Sequence, residues 1–341
     1  MLTVFSTDHL LRSPRTELYG GELVRPHESP ERAQFVLDRI RAQGLGEVIA
    51  PVKFGMAPLL RVHDPAFVEF LKQVWSDWVA AGNRGEAIPD CWPARRMAQR
   101  CPNSIVGKLG YYAMAAETSI SQGTWEAASA AADVALTAAS CLKDGARAAF
   151  ALCRPPGHHA ARDMYGGYCF LNNAAIAAQY LRDGGAARVA VLDVDFHHGN
   201  GTQDIFYDRP DMLYVSLHGD PAEAFPYFSG YADEIGTGAG SGFTLNLPMP
   251  PGTEFRTWQD ALRTALSRIG DFRADALVVS LGVDTFVDDP ISFFRLQSED
   301  FSTYGEMIRG CGLPTLFVME GGYAVGDIGM NVVNVLTGFE K

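Results

Sequence analysis

The chain has 341 residues, 47% hydrophobic and 20% charged, enough to bury a large core and ordinary for a soluble globular protein. Forty acids against 28 bases give a formal charge of −12, which disfavours nucleic acid as a partner and attracts small cations. The six cysteines form no C-x-x-C pair and read as reduced thiols of a cytoplasmic protein. The opening MLTVFSTDHLLR lacks a basic stretch before a long apolar core, and no apolar run approaches about 18 residues, so neither export nor membrane insertion is expected.

Leu2 to Phe5 reads as a first strand, and the polar, Gly- and Pro-rich stretch from Ser13 to Pro30 as a loop carrying Glu17 and Tyr19. A helix is expected from Ser29-Pro30 to Gly44, and another from Pro65 to Ala80 with Asp64 as its cap. Residues 81–108 show no clear period; the segment is long for a connection and carries Trp92, Met97 and Ile105, so it reads as an inserted functional loop. Thr124 to Leu142 is Ala-rich and helical, with Thr124 the candidate cap. Further helices fit Phe170 to Arg182, Glu254 to Phe272, Ser298 to Gly310 and the C-terminal segment. Strands fit Ala148 to Cys153, Arg188 to Val194, Met212 to Leu217, Phe243 to Leu247, Ala276 to Leu281 and Thr315 to Met319. Length alone suggests two domains, but this alternation predicts one α/β domain over residues 1–341. It implies a mostly parallel sheet with helices on both faces and ligands at the strands' carboxyl ends.

The stretch VAVLDVDFHHGNG (189–201) starts as a buried strand and ends in acids and histidines. Side chains alternate across a strand, so Asp193, Asp195 and His197 share one face and Val194 and Phe196 the other. Three other apolar strands also end in reactive residues: RPPGHH (154–159), SLGVDTFVDDP (280–290) and MEGGY (319–323). Asp195, His197 and Asp284 are candidate ligands of one divalent metal. Three protein ligands with a position left open describe a catalytic rather than a structural zinc site. His158 and His159 are candidates to hold a neutral imidazole beside it as general base. Tyr323, after two glycines, is a candidate donor to a developing oxyanion. His9, His27, His63, His198 and His218 read as structural. GTGAGSG (236–242) lacks the Lys-Ser/Thr ending of a phosphate loop and reads as a turn.

In order and spacing, RPPGHHA, GGYCFLNNAA, LDVDFHHGNGTQ, SLGVDTF and MEGGY resemble the motifs of the zinc-dependent histone deacetylase family. The resemblance covers most of the chain and implies the arginase-like α/β fold and deacylation by zinc-activated water. It implies one Zn²⁺ per chain, with Fe²⁺ able to occupy such an oxygen–nitrogen site, on Asp195, His197 and Asp284. It implies His158 and His159 as acid–base pair, with His159 the proton carrier, and Tyr323 polarising the acetyl carbonyl. A structural K⁺ would sit at Asp193, Asp195, His197, Ser216 and Leu217. Gly167, Tyr168 and Phe225 would line a slender tunnel. Asn200 departs from the Asp that many members carry in HHGDG, and a neutral amide stabilises a histidine cation less than a carboxylate does.

Within the family the sequence looks closest to acetylpolyamine amidohydrolases, through segment 81–108, KLGYYAMAAET and HGDPAEAFPYFSGYADE. That implies a small cationic acetylated amine as substrate and a homodimer formed through 81–108. Glu117, then Glu17, with Tyr19 nearby, are the candidates for the distal ammonium; for either carboxylate a solvated surface position is the alternative. A protein-lysine deacetylase is the nearest competing function. A dimanganese ureohydrolase would need a further acid where Leu281-Gly282 stand, and a non-catalytic binder would have lost the proton carrier or the tyrosine.

Overall fold

A computed structural model describes residues 1–341. Ten strands form: β1 (Leu2–Val4), β2 (Glu17–Tyr19), β3 (Glu22–Val24), β4 (Val48–Ile49), β5 (Ala148–Ala151), β6 (Val189–Asp193), β7 (Met212–Gly219), β8 (Thr244–Met249), β9 (Ala276–Leu281) and β10 (Thr315–Met319). Nine α-helices accompany them: α1 (Pro30–Gln43), α2 (Pro65–Ala80), α3 (Ile105–Tyr112), α4 (Thr124–Lys143), α5 (Asn173–Asp183), α6 (Asn200–Phe206), α7 (Phe255–Phe272), α8 (Ser298–Arg309) and α9 (Ile328–Glu340). Eight strands make one sheet in the order β4–β1–β5–β10–β9–β6–β7–β8, every neighbouring pair parallel.

Both faces of that sheet are dry. In β6, Val189 and Val191 join a core with α2, α3, α4 and α5, whereas Ala190 and Leu192 join a second core with α1, α7, α8 and α9. Val194 and Phe196 continue on the second side, so the alternation read from the sequence persists past the strand's end at Asp193. A strand buried on both faces is apolar at nearly every position, which is why β5, β6, β9 and β10 were visible as apolar runs broken only by Asp193, Ser280 and Thr315.

Local rules set most boundaries. The Asp64 carboxylate accepts the Ala66 and Phe67 N–H groups at 2.7 and 3.3 Å to start α2, and Gly44 closes α1 in the left-handed conformation. Four expectations are corrected. The cap of α4 is Gly123, not Thr124; the Thr124 hydroxyl instead accepts from Ser121 N–H and buried Arg12. Helix α5 begins at Asn173 rather than Phe170, because the Asn172 side chain caps it through Ala175 N–H at 2.9 Å. Glu17 and Tyr19 lie on the β2–β3 hairpin, not in a plain loop. The inserted segment ends in α3 from Ile105; ahead of it the chain is tied by the Ala87–Ile120 bridge and by Trp92 Nε1 donating to Ala113 O at 3.0 Å. Of the three apolar residues noted in it, Trp92 is half-buried, Ile105 packs on the core, and Met97 is exposed.

Candidate active site

The four strands that end in reactive residues, β5, β10, β9 and β6, are consecutive neighbours in the middle of the sheet. Their carboxyl ends therefore open onto one rim, with RPPGHH, MEGGY, SLGVD and DVDFHH side by side. The RPPGHH loop is held from behind by a buried cluster: Arg154 donates to Glu28 at 2.7 and 3.1 Å and to the carbonyls of His9 and Arg12. Arg32, buried beside them, also pairs with Glu28 at 3.2 Å.

Asp195, His197 and Asp284 bring one ligand atom each to within 4.8 Å of one another, and all three residues are buried. His197 Nδ1 lies 3.3 Å from Asp195 Oδ1 and 3.0 Å from Asp284 Oδ2. The second oxygens are held by backbone N–H groups, Gly321 to Asp195 Oδ2 and Phe196 to Asp284 Oδ1, both at 2.7 Å. Burial first, then the Asp195 charge, pushes the Asp284 carboxyl above its usual range. Gly282 has to be glycine, since a Cβ there would strike Asp195 Oδ2.

His158 Nδ1 is 3.0 Å from Asp193 Oδ2, and His159 Nδ1 is 2.7 Å from Asn200 Oδ1. Asn200 Nδ2 faces His159 O at 3.4 Å, so Oδ1 takes the Nδ1 proton and leaves Nε2 of His159 with the lone pair. The two imidazoles are driven apart. Burial opposes charge on His158, but the Asp195 and Asp193 carboxylates outweigh it and raise it well above the usual histidine range. Burial and the neighbouring charges of His158 and His197 hold His159 well below that range, and the Asn200 hydrogen bond offsets this only in part. Tyr323 is buried against the Tyr168 ring and beneath the Arg32 guanidinium, 4.8 Å from its ring centre.

A cavity of about 490 Å³ opens over His159, His197 and Tyr323. Gly167, Tyr168 and Phe225 line it, with Glu17, Tyr19 and Glu117 further round. Gly167 has φ +54° and a Cβ there would enter the His159 ring, so the cavity wall and that imidazole are packed on each other. The solvated alternative fails for Glu17, while Glu117 is half-buried. Glu17 is buried and accepts Tyr168 O–H at 2.6 Å and His27 N–H at 2.9 Å. Glu117 Oε1 accepts Gly167 N–H at 2.8 Å and the Thr118 hydroxyl at 2.9 Å. Sequence reasoning missed Glu223, Ile291 and Phe293, which also line the cavity. Glu223 stands in a quoted stretch, but nothing local distinguishes it from a surface acid.

The sequence of the histone deacetylase domain matches residues 26–339. The chain belongs to the histone deacetylase family. Its relatives in that family include acetylpolyamine amidohydrolase 2 of Pseudomonas aeruginosa, 57% identical over 100% of this chain and 99% of that protein. Acetylpolyamine amidohydrolase of Mycoplana ramosa is 56% identical over 99% of each. In three dimensions the chain superposes on a crystal structure of acetylpolyamine aminohydrolase from Burkholderia pseudomallei with a TM-score of 0.94, at 42% identity, covering 99% of this chain and 98% of the other. The family is metal-dependent and its members hydrolyse amides, which accords with a buried triad at the floor of a cavity.

Three other histidines of this deacetylase-family chain are buried among structural partners. His63 bonds Ala161 O and Asn172 N–H, His198 meets Gln203, and His218 has the partners that sequence could not name, Ser216 Oγ and Gly230 O, both at 2.8 Å. Sheet register sets Asp193 opposite Ser216, so two of the potassium candidates lie side by side beneath the triad.

Proposed function

We propose that this chain removes acetyl groups from small acetylated polyamines. The observation that carries the reading is the one cavity that His197 of the candidate metal triad lines together with His159, Tyr323 and the acids Glu117 and Glu223. The names of the full-length relatives support the same substrate class.

The donor set fits a divalent metal, one per chain. Two buried carboxylates with a single imidazole wedged between them is an arrangement that a dication stabilises and that apolar burial otherwise opposes. Zinc is the ion of choice for two carboxylates and one imidazole, with Fe²⁺ as the alternative. When bound, it supplies a Lewis acid that acidifies water and polarises the amide carbonyl. His159 Nε2 accepts the water proton and passes it to the leaving amine, with Asn200 holding the ring in the required tautomer. His158, bonded to Asp193 at 3.0 Å, is the second imidazole of the acid–base pair beside His159. The Tyr323 hydroxyl donates to the oxyanion as it develops. K⁺ at Asp193, Ser216 and Leu217, with Asp195 and His197, would brace the strand ends. The walls of Tyr168 and Phe225 admit an unbranched chain, and Glu117 receives the distal ammonium. Assembly as a homodimer through residues 81–108 would further narrow the entrance, and the protein works in the cytoplasm.

Kinetics with acetylputrescine, acetylspermidine and an acetyl-lysine peptide, run side by side, test the reading. The amines are expected to have the higher kcat/KM; equal kcat/KM for the peptide would overturn polyamine specificity.

A further inference from the structure

The segment that carries Tyr323 belongs to no strand or helix, yet its backbone is bonded almost atom by atom to distant residues. Arg32 donates to the carbonyls of Glu320 and Gly322 at 2.5 and 2.7 Å, and Val283 N–H to Gly321 O at 3.1 Å. Gly321 N–H goes to Asp195. The N–H groups of Tyr323 and Ala324 go to one acceptor, Oδ2 of Asp289, at 2.7 and 3.3 Å. The other oxygen of Asp289 accepts Ile291 N–H at 3.1 Å, at the start of the opposite cavity wall. Asp289 is 6% exposed. Its exposed neighbour Asp288 makes no such bond.

We infer that Asp289 is the positioning residue for the Tyr323 hydroxyl, tying the tyrosine's backbone to the wall at Ile291 and so setting where the ring enters the cavity. The inference rests on the reading of Tyr323 as the oxyanion donor. An oxyanion donor acts only from a fixed place, so its anchor should affect the chemical step rather than substrate binding. Both oxygens of Asp289 accept from backbone N–H groups. An asparagine there must therefore turn its NH₂ against an N–H donor whichever way it rotates.

The test is a double-mutant cycle on the metal-loaded enzyme with acetylputrescine. Asp289→Asn is expected to lower kcat by about tenfold or more with KM changed less than about threefold, while Asp288→Asn, with the same change in charge, leaves both as they were. In a Tyr323→Phe background Asp289→Asn is expected to change kcat less than about twofold, because the hydroxyl it positions is gone. Wild-type kcat in Asp289→Asn, or the full loss repeated in the Tyr323→Phe background, overturns the inference alone. Near wild-type turnover in Tyr323→Phe overturns the catalytic reading and the inference with it. If Asp289→Asn melts early or loses metal, Asp289→Glu, which keeps an acceptor one methylene out of place, goes through the same cycle with the same outcomes.

Discussion

At Asp284 burial and function pull in opposite directions. The carboxyl is fully buried 3.0 Å from His197 and next to the Asp195 charge, an environment that favours the protonated acid unless a cation is shared among the three. Asp284→Ala should therefore lose metal together with activity, since two ligands make a poor site; metal analysis that finds two ions per active chain, both needed for turnover, would count against the mononuclear assignment. Glu117 and Glu17 separate by a similar argument. Glu17 is spent on Tyr168 and His27, whereas Glu117 engages Oε1 only. Glu117→Gln should raise KM for acetylputrescine several-fold more than for a neutral acetamide of equal length, about 1.5–3 kcal/mol being the usual worth of a charged hydrogen bond; equal changes for the two substrates would remove Glu117 from recognition. The candidate ligands, both histidines and Tyr323 could be picked out because each follows a short apolar run. Asp289 and Glu223 could not, because Asp289 meets Tyr323 and Ala324 from another strand's end and no local pattern sets Glu223 apart from a surface acid.

Among the elements, legibility followed burial. Strands β9 and β10 could be read to the residue because every side chain in them is buried and all but Ser280 and Thr315 are apolar. The β2–β3 hairpin shows no such signal: Glu17 is its buried member, and Leu18, Tyr19 and Leu23 face out. Helix α3, with eight residues after a patternless stretch, was likewise hidden in the insertion. Its Gly110 packs on the Cys91 carbonyl, and no spacing rule reports such a contact. The exposed part of the insertion, 93–100, holds Arg95, Arg96 and Arg100 in an acidic protein. Replacing it by a short glycine–serine turn should convert the proposed dimer to a monomer on size-exclusion chromatography with light scattering. A wild-type sequence that runs as a monomer at assay concentration would dispose of the dimer.

For the molecule as a whole, charge and buried imidazoles set how it responds to solution conditions. With a formal charge of −12, attraction of a cationic substrate is screened as salt rises, so kcat/KM for acetylputrescine should fall with ionic strength while that for a neutral acetamide stays level. His63 and His218 are each lowered by burial from 6.5 to about 4. The unfolded chain thus takes up these protons at higher pH than the fold does. The stability they contribute is complete above about 6.5 and lost as pH falls through about 4, at most about 3 kcal/mol each. The urea midpoint of chelator-treated protein should drop across that window; a flat midpoint from pH 7 to 4.5 would contradict the buried neutral imidazoles.

The adjacency of β5, β10, β9 and β6 carries a kinetic consequence. Neighbours β5 and β10 lie at residues 148–151 and 315–319, so their pairing closes a loop of nearly half the chain. Parallel pairings between segments so far apart in sequence form late and slowly. An N-terminal fragment that stops short of β9 cannot hold all three candidate ligands, because Asp284 follows Asp195 and His197 by an entire further stretch of sheet and helix. Tight metal uptake should thus coincide with closure of the central sheet, and the rate at which refolding protein captures a chromogenic metal probe's zinc would time the completion of the topology itself.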